Sequence, residues 1–203
     1  MSIRTGRTRL LALVLACGSA WTSPLSAAAG SAPRIDLTVR VYPAALPSAQ
    51  QTRALAEADA VLRAALVDVR WQVCARPSAS PACHEPPGPS EVLLVVRAGT
   101  ACDDTQVTLG EAMVGRRADG VLATVYVDCV TRLARQTGAD VGVLLGRVAA
   151  HELGHLMIRR HSAHARRGLM RPTWTRDEVR RNRAADWAFT AADAAAMRQP
   201  HRT

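Results

Sequence analysis

The chain contains no lysine: all 26 of its basic residues are arginine, against 17 acidic residues in 203 positions. An all-arginine set in an alanine-rich chain is what compositional bias produces, so the formal charge of +9 does not by itself select a polyanion as partner. No nucleic-acid-binding motif accompanies the charge, and no nucleic acid is expected. Heptad and triplet repeats are missing, which excludes coiled-coil and collagen-like classes. No apolar run after the first thirty residues approaches the roughly 20 that a spanning helix needs, so no transmembrane helix is expected. The cysteines form no close C-x-x-C pair, which argues against a four-cysteine zinc site. Aromatic residues are few, one Phe, two Tyr and four Trp, but 48% of the chain is apolar. That suffices for the core of a single domain of this size.

Residues 1–28 read as an export signal, and residues 29–203 as one domain. Arg4, Arg7 and Arg9 form a positive start, Leu10 to Ala20 a short apolar stretch, and Ser26 to Ala29 a small-residue cleavage region. A lipoprotein variant, cleaved before Cys17, is the minor alternative. Periplasmic or secreted localisation follows. Removing the leader also redistributes the charge. Residues 147–203 hold 12 arginines against five acids, whereas residues 29–146 are nearly balanced. The exported chain keeps Cys74, Cys83, Cys102 and Cys129, an even number that reads as two disulfides. Cys74 and Cys83 flank a Pro/Ser-rich loop and are paired first, leaving Cys102 with Cys129. Closing the loop of about 10 residues contributes roughly 2.7 kcal/mol on the chain-entropy model.

Alternation at Ile35, Leu37, Val39 and Val41 predicts a half-buried strand. Pro47 to Leu66 follows a helical period, Val69 to Cys74 is a second strand, and the proline-rich 74–90 is a loop. Glu91 to Val96 is nearly all apolar and belongs in the middle of a sheet. Leu109–Val114 and Val121–Val127 are weaker strand candidates. Val141 to Ile158 is the clearest helix, with shorter ones near Asp177–Arg183 and Ala191–Arg198. This order fits an α+β domain whose small mixed sheet backs a buried helix.

That helix carries His151, Glu152, Leu153, Gly154 and His155. Residues four apart on an α-helix are separated by about 40° around the axis and about 6 Å along it, so two imidazoles there can converge on one metal ion. Glu152 projects about 100° from His151, beside the metal, where it can take a proton from metal-bound water. Two His ligands with a Glu general base are the zinc-peptidase arrangement, which needs a third protein ligand. Burying two histidines and a glutamate in an otherwise apolar helix is costly without a partner such as a metal.

His161 lies 10 residues after His151, His164 lies 13 after it, and Gly168-Leu169-Met170-Arg171-Pro172 follows. This plan resembles the metzincin-type zinc peptidases, in which a third His follows the first by ten positions and a methionine-containing turn underlies the metal. Their helix-ending glycine is replaced here by Ile158. A nearer resemblance is to small exported bacterial metallopeptidase-like proteins with a core of roughly H-E-x-G-H-L-L-L-G, then H-S-x-x-G-I-M-R-x-x-W. His151 to His155 matches the first part and His164 to Trp174 the second, with Arg159 in place of the glycine. The resemblance extends sparsely over residues 39–199, through Val41-Tyr42, Trp71, Cys74, Cys83 and Phe189-Thr190.

The resemblance implies a zincin-like fold, a Zn2+ cofactor and a peptide or protein substrate. It also implies ligands His151 and His155, a third ligand His164 with His161 as the alternative, and Met170 as an apolar floor. Either third ligand requires the helix to stop near Arg159 and reverse. The expected activity is peptide-bond hydrolysis by zinc-bound water, with Glu152 as general base. Arg171 and Tyr126 are candidates by residue type for stabilising the oxyanion, and Trp174 is expected in the core. Two alternatives stand beside the peptidase. One is a zinc-binding but catalytically silent relative; the other is a basic module gripping a polyanion with the C-terminal arginines.

Overall fold

β1 (Ile35–Tyr42) alternates along its length and buries Val39 and Val41 on one face. α1 (Ser48–Ala64) starts directly after Pro47, whose fixed φ suits a helix entry. It ends at Ala65, and Leu66 then adopts a left-handed φ of 66° that turns the chain into β2 (Val67–Val73), two residues earlier than periodicity predicts. β2 lies parallel to β1, so α1 is the crossover between them. This computed structural model describes residues 33–75, 80–99, 102, 108–115, 121–160 and 163–199; the expected leader, Cys17 and His161 fall outside them.

β3 (Glu91–Arg97), β4 (Gly110–Met113) and β5 (Leu122–Tyr126) complete one sheet in the order β2-β1-β3-β5-β4. The apolar β3 is its middle strand, parallel to β1 and β5, and β4 is an antiparallel edge. α1 and α3 (Val141–Ile158) cover one face. There Val41, Leu94 and Val125 join Ala58, Leu145 and Ala149 in the core. On the other face Arg40, 3% exposed, donates to the Glu85 carbonyl at 2.6 Å and pairs with Glu91. Tyr42 donates its hydroxyl to the Cys83 carbonyl at 2.8 Å. These contacts pin the proline-rich loop, which carries a short 3₁₀ turn at Pro81–His84 and is closed by the Cys74–Cys83 disulfide. The second disulfide joins Cys102 to Cys129.

Cys129 lies in α2 (Val127–Thr137), an element the sequence reading did not assign, having carried a strand through Val127. The chain passes from β5 into α2 with no connecting loop and no side-chain cap, so no punctuation marks the change. A signal was present: Val127, Val130, Leu133 and Ala134 are buried at helical spacing, and Gly138 supplies a left-handed stop at φ 73°. α4 (Arg176–Arg181) and α5 (Ala191–Met197) each begin with a capping box, Thr175 with Glu178 and Thr190 with Asp193. A 3₁₀ turn at Ala184–Trp187 lies between them.

Among the described residues, α3 alone is long and apolar enough, at 18 residues and a mean hydropathy of 1.2, to cross a bilayer by length and composition. Its window is 78% buried inside this protein, as the core helix of a mixed fold is.

Candidate metal centre

α3 reaches the site by pressing its backbone against α1. A Cβ on Gly142 would lie 2.9 Å from the Gln50 carbonyl oxygen, and one on Gly146 would run into the Ala54 carbonyl oxygen. Bare glycines thus let the two helices approach. Further along α3, Arg147, His151 and His155 form an i, i+4 stripe, and all three are buried. Arg147, which sequence reasoning passed over, is matched: its Nε donates to Glu57 at 2.8 Å, Nη1 donates to Asn182 at 2.8 Å, and its guanidinium lies 4.4 Å over the Trp187 ring.

The two histidines face each other. Their Nε2 atoms are 3.1 Å apart. His151 Nδ1 lies 2.9 Å from the Leu169 carbonyl and His155 Nδ1 3.3 Å from that of Arg160. A carbonyl only accepts, so each Nδ1 carries the proton and each Nε2 presents a lone pair. Two lone pairs at that separation repel unless a cation lies between them. Burial lowers the pKa of His151 to about 4, which disfavours a proton on its Nε2. A metal ion meets the requirement.

The chain then reverses as required. α3 ends at Arg159, which adopts φ 59° in the left-handed region and donates its N–H to the His155 carbonyl at 2.8 Å. An arginine performs the turn expected of a glycine. The return brings His164 onto the pair, its ring centroid 4.8 Å from that of His155 and 5.7 Å from that of His151. One potential ligand atom from each of the three lies within 4.8 Å of the others, with His151 and His155 buried and His164 exposed. His161 is outside the described residues. A three-imidazole set with water access suits zinc and leaves room for a fourth ligand.

Met170 is 0% exposed and lies beneath α3. A Cβ on Gly154 would come within 2.8 Å of its sulfur and 2.7 Å of Phe189 Cε1. The turn holding Met170 depends on Gly168, at φ 78°, where a Cβ would meet the Ala188 carbonyl oxygen at 2.6 Å. It is tied by Leu169 N–H to the Ala188 carbonyl and Ala165 N–H to the Met170 carbonyl, both at 2.8 Å. The Leu169 carbonyl also accepts from Trp174 Nε1 at 3.3 Å, and the Trp174 ring stands edge-on to His151. Trp174 therefore packs against the site and not simply within the core.

Glu152 points to the sheet. A Cβ on Gly110 would lie 2.8 Å from Glu152 Cγ and 2.9 Å from its Oε1, so only glycine fits on β4 here. Burial, with the Glu111 charge nearby, pushes the pKa of Glu152 up to about 8. A cation close by opposes that shift and favours the carboxylate. Tyr126 donates to Glu111 Oε1 at 2.7 Å, a bond that raises the phenol pKa. Arg171 Nη1 pairs with Glu178 at 3.1 Å and Asp186 at 3.2 Å. Glu152, His155, His164 and Arg171 line a cleft of about 1030 Å³ together with β4, α2 and Arg176. Gly110 and Glu111 were missed because a four-residue edge strand gives almost no periodicity; the dipeptide's place beside Glu152 arises only through sheet pairing.

No family model and no curated protein matches this chain. Among solved structures, it is similar to a zinc-dependent peptidase from Methanocorpusculum labreanum, with a TM-score of 0.53 and 16% identity, over 79% of this chain and 99% of that one. It also aligns with archaemetzincin from Methanopyrus kandleri at a TM-score of 0.47 and 18% identity, over 81% and 93% of the two chains. At such identities the likeness to the first is one of fold. The chain has the zincin-like α+β architecture expected from its sequence.

Proposed function

We propose that this protein is an exported zinc-dependent peptidase in which His151, His155 and His164 hold Zn2+ and Glu152 is the general base. The observation that carries the reading is the convergence of three imidazoles, two with lone pairs face to face, on a cleft wall that also presents Glu152. Zn2+ held by these three imidazoles would supply a Lewis acid for the scissile carbonyl and a water of pKa lowered toward about 7. Glu152, one residue from His151 and packed on Gly110, accepts the proton from the attacking water and delivers it to the leaving amine. Its buried setting keeps that proton from solvent during the transfer. Leu169 and Arg160 hold the imidazoles in the Nδ1–H tautomer through their carbonyls. β4 pairs with no described strand on its outer side, so its backbone can add an extended peptide as a further strand across the cleft. The two disulfides suit an oxidising compartment, which supports removal of residues 1–28 as a signal peptide.

Metal analysis of wild type and Glu152→Gln, with hydrolysis of a mixed peptide library, tests this. The expected result is one zinc per chain in both and a loss of cleavage of at least about 10²-fold in the variant. Zinc without Glu152-dependent cleavage would establish a catalytically silent relative, and a protein that binds no zinc would overturn the reading. Zinc retention in His161→Ala, with loss in His164→Ala, identifies the third ligand.

A further inference from the structure

We infer that the cleft selects extended peptides with a basic side chain opposite Glu111 on β4 and an apolar side chain two positions away, against Met113. The inference rests on the peptidase reading of the same site and adds a substrate class to it. β4 is the edge of the sheet, and Glu111 and Met113 both line the cleft. The register fixes how β4 presents them. Gly110 and Ala112 pair with Val125 and Ala123, whose side chains are buried on the α3 side of the sheet. Glu111 and Met113 pair with Thr124 and Leu122, and so lie on the opposite face. A strand added to β4 alternates likewise. One of its residues faces α3 and the metal ligands, and the next meets Glu111 or Met113.

Both side chains are poised for such a partner. Glu111 is exposed, and its Oε1 accepts the Tyr126 hydroxyl at 2.7 Å, which leaves Oε2 as an acceptor. Fixing the carboxylate in advance reduces the ordering cost of binding. The exposed Asp140 and Asp177 each pair with an arginine, at 3.7 and 3.2 Å. Glu111 makes no ion pair among the described residues, in a chain with 26 arginines. Arg97, exposed and across from Tyr126 on β3, forms none with it. Met113 is 59% exposed, the most of any large apolar side chain described. A flexible thioether on an open edge adapts to apolar side chains of different shape. The arginines that line the cleft, Arg132, Arg171 and Arg176, come from α2 and from the chain after His164. The β4 wall is therefore the one that attracts a cation, and opposite charges and apolar pairs are the cross-strand neighbours that stabilise a sheet.

The test is kcat/KM of the zinc-loaded protein on N-acetylated peptides, position-scanned with Lys or Gln and, two positions away, with Leu or Ser. Acetylation removes the α-ammonium as a competing cation. Calorimetric binding of the same peptides to Glu152→Gln protein runs alongside. We expect the Lys peptide to be preferred about fivefold at one position, and less as salt rises. Because the Glu111 charge also acts on Glu152, the readout is the ratio between matched peptides, in which a change in the base cancels. The Lys-to-Gln ratio should fall to about one in Glu111→Gln and below that in Glu111→Arg. It should fall only in part in Tyr126→Phe, and hold in Asp36→Asn, on β1. Met113→Ser should lower the Leu-to-Ser ratio and spare the Lys-to-Gln ratio. A wild type that cleaves matched peptides alike, or ratios that Glu111→Gln and Met113→Ser leave unchanged, overturns the inference and leaves the peptidase reading standing. Failure of wild type to cleave any peptide overturns the peptidase reading, and the binding arm still decides whether β4 receives a cationic peptide.

Discussion

The scaffold and the segment after Arg159 are built on different principles. In the scaffold, β1, β3, α1 and α3 repeat a simple pattern of apolar residues, and close approach is set by small residues at regular spacing, Gly142 and Gly146 on α3 against α1. After Arg159 little repeats. The path is held by left-handed residues at Arg159, Gly168 and Asn182, two capping boxes, and single backbone hydrogen bonds such as Leu169 N–H to Ala188. Charge differs likewise. The arginine excess lies in the second region, yet Arg171 there, like Arg147 on α3, is buried and ion-paired. Arg171 is thus part of how irregular chain is fastened around three histidines, while Arg160, Arg166 and Arg167 beside it in sequence are exposed. The scaffold supplies stability, and the fastened segment supplies the position of ligand atoms.

Substituting a glycine in each region separates these contributions. Gly146→Ala forces a methyl into the Ala54 carbonyl, which moves only with α1, and should destabilise the protein by roughly 2–3 kcal/mol. Gly154→Ala meets the ends of Met170 and Phe189, which can yield in part, and should lose roughly 1–2 kcal/mol. Only the second should weaken zinc binding in the molecules that remain folded. Urea unfolding of metal-free proteins and chelator competition measure the two effects. A larger loss of zinc affinity in Gly146→Ala would erase the distinction.

A smaller perturbation acts inside the fastened segment alone. Trp174→Phe keeps an aromatic ring between His151 and Trp187 but removes the N–H that shares the Leu169 carbonyl with His151. Zinc affinity should fall about tenfold, as for other groups that orient a ligand, and stability by about 1 kcal/mol. Unchanged affinity with the same stability loss would reduce Trp174 to packing.

The same division governs what could be read from sequence. The apolar run of β3, the alternation of β1 and the period of α3 repeat a local rule, and the structure has these elements where that rule puts them. His151, Glu152 and His155 share one helix, so their mutual placement also follows from a local period. Gly110 meets Glu152 only because β4 pairs with β5, and the Leu169 carbonyl meets His151 only because a turn returns under α3. Neither has a sequence signature, since each depends on chain brought from elsewhere. α2 was hidden differently, by a strand that becomes a helix without a loop.

Arg159 is where the two regions meet, and it offers the mildest test. A non-glycine residue in the left-handed region costs about 1–2 kcal/mol, and part of that is offset because glycine loses more chain entropy on folding. Arg159→Gly should therefore stabilise the protein by roughly 0.5–1 kcal/mol, with zinc affinity unchanged, because the reversal toward His164 is already made. Thermal unfolding with and without zinc reads both quantities. If Arg159→Gly instead loosened zinc binding, the arginine side chain would itself be holding the return path, and the fastening of this segment would extend one residue further back than its backbone geometry requires.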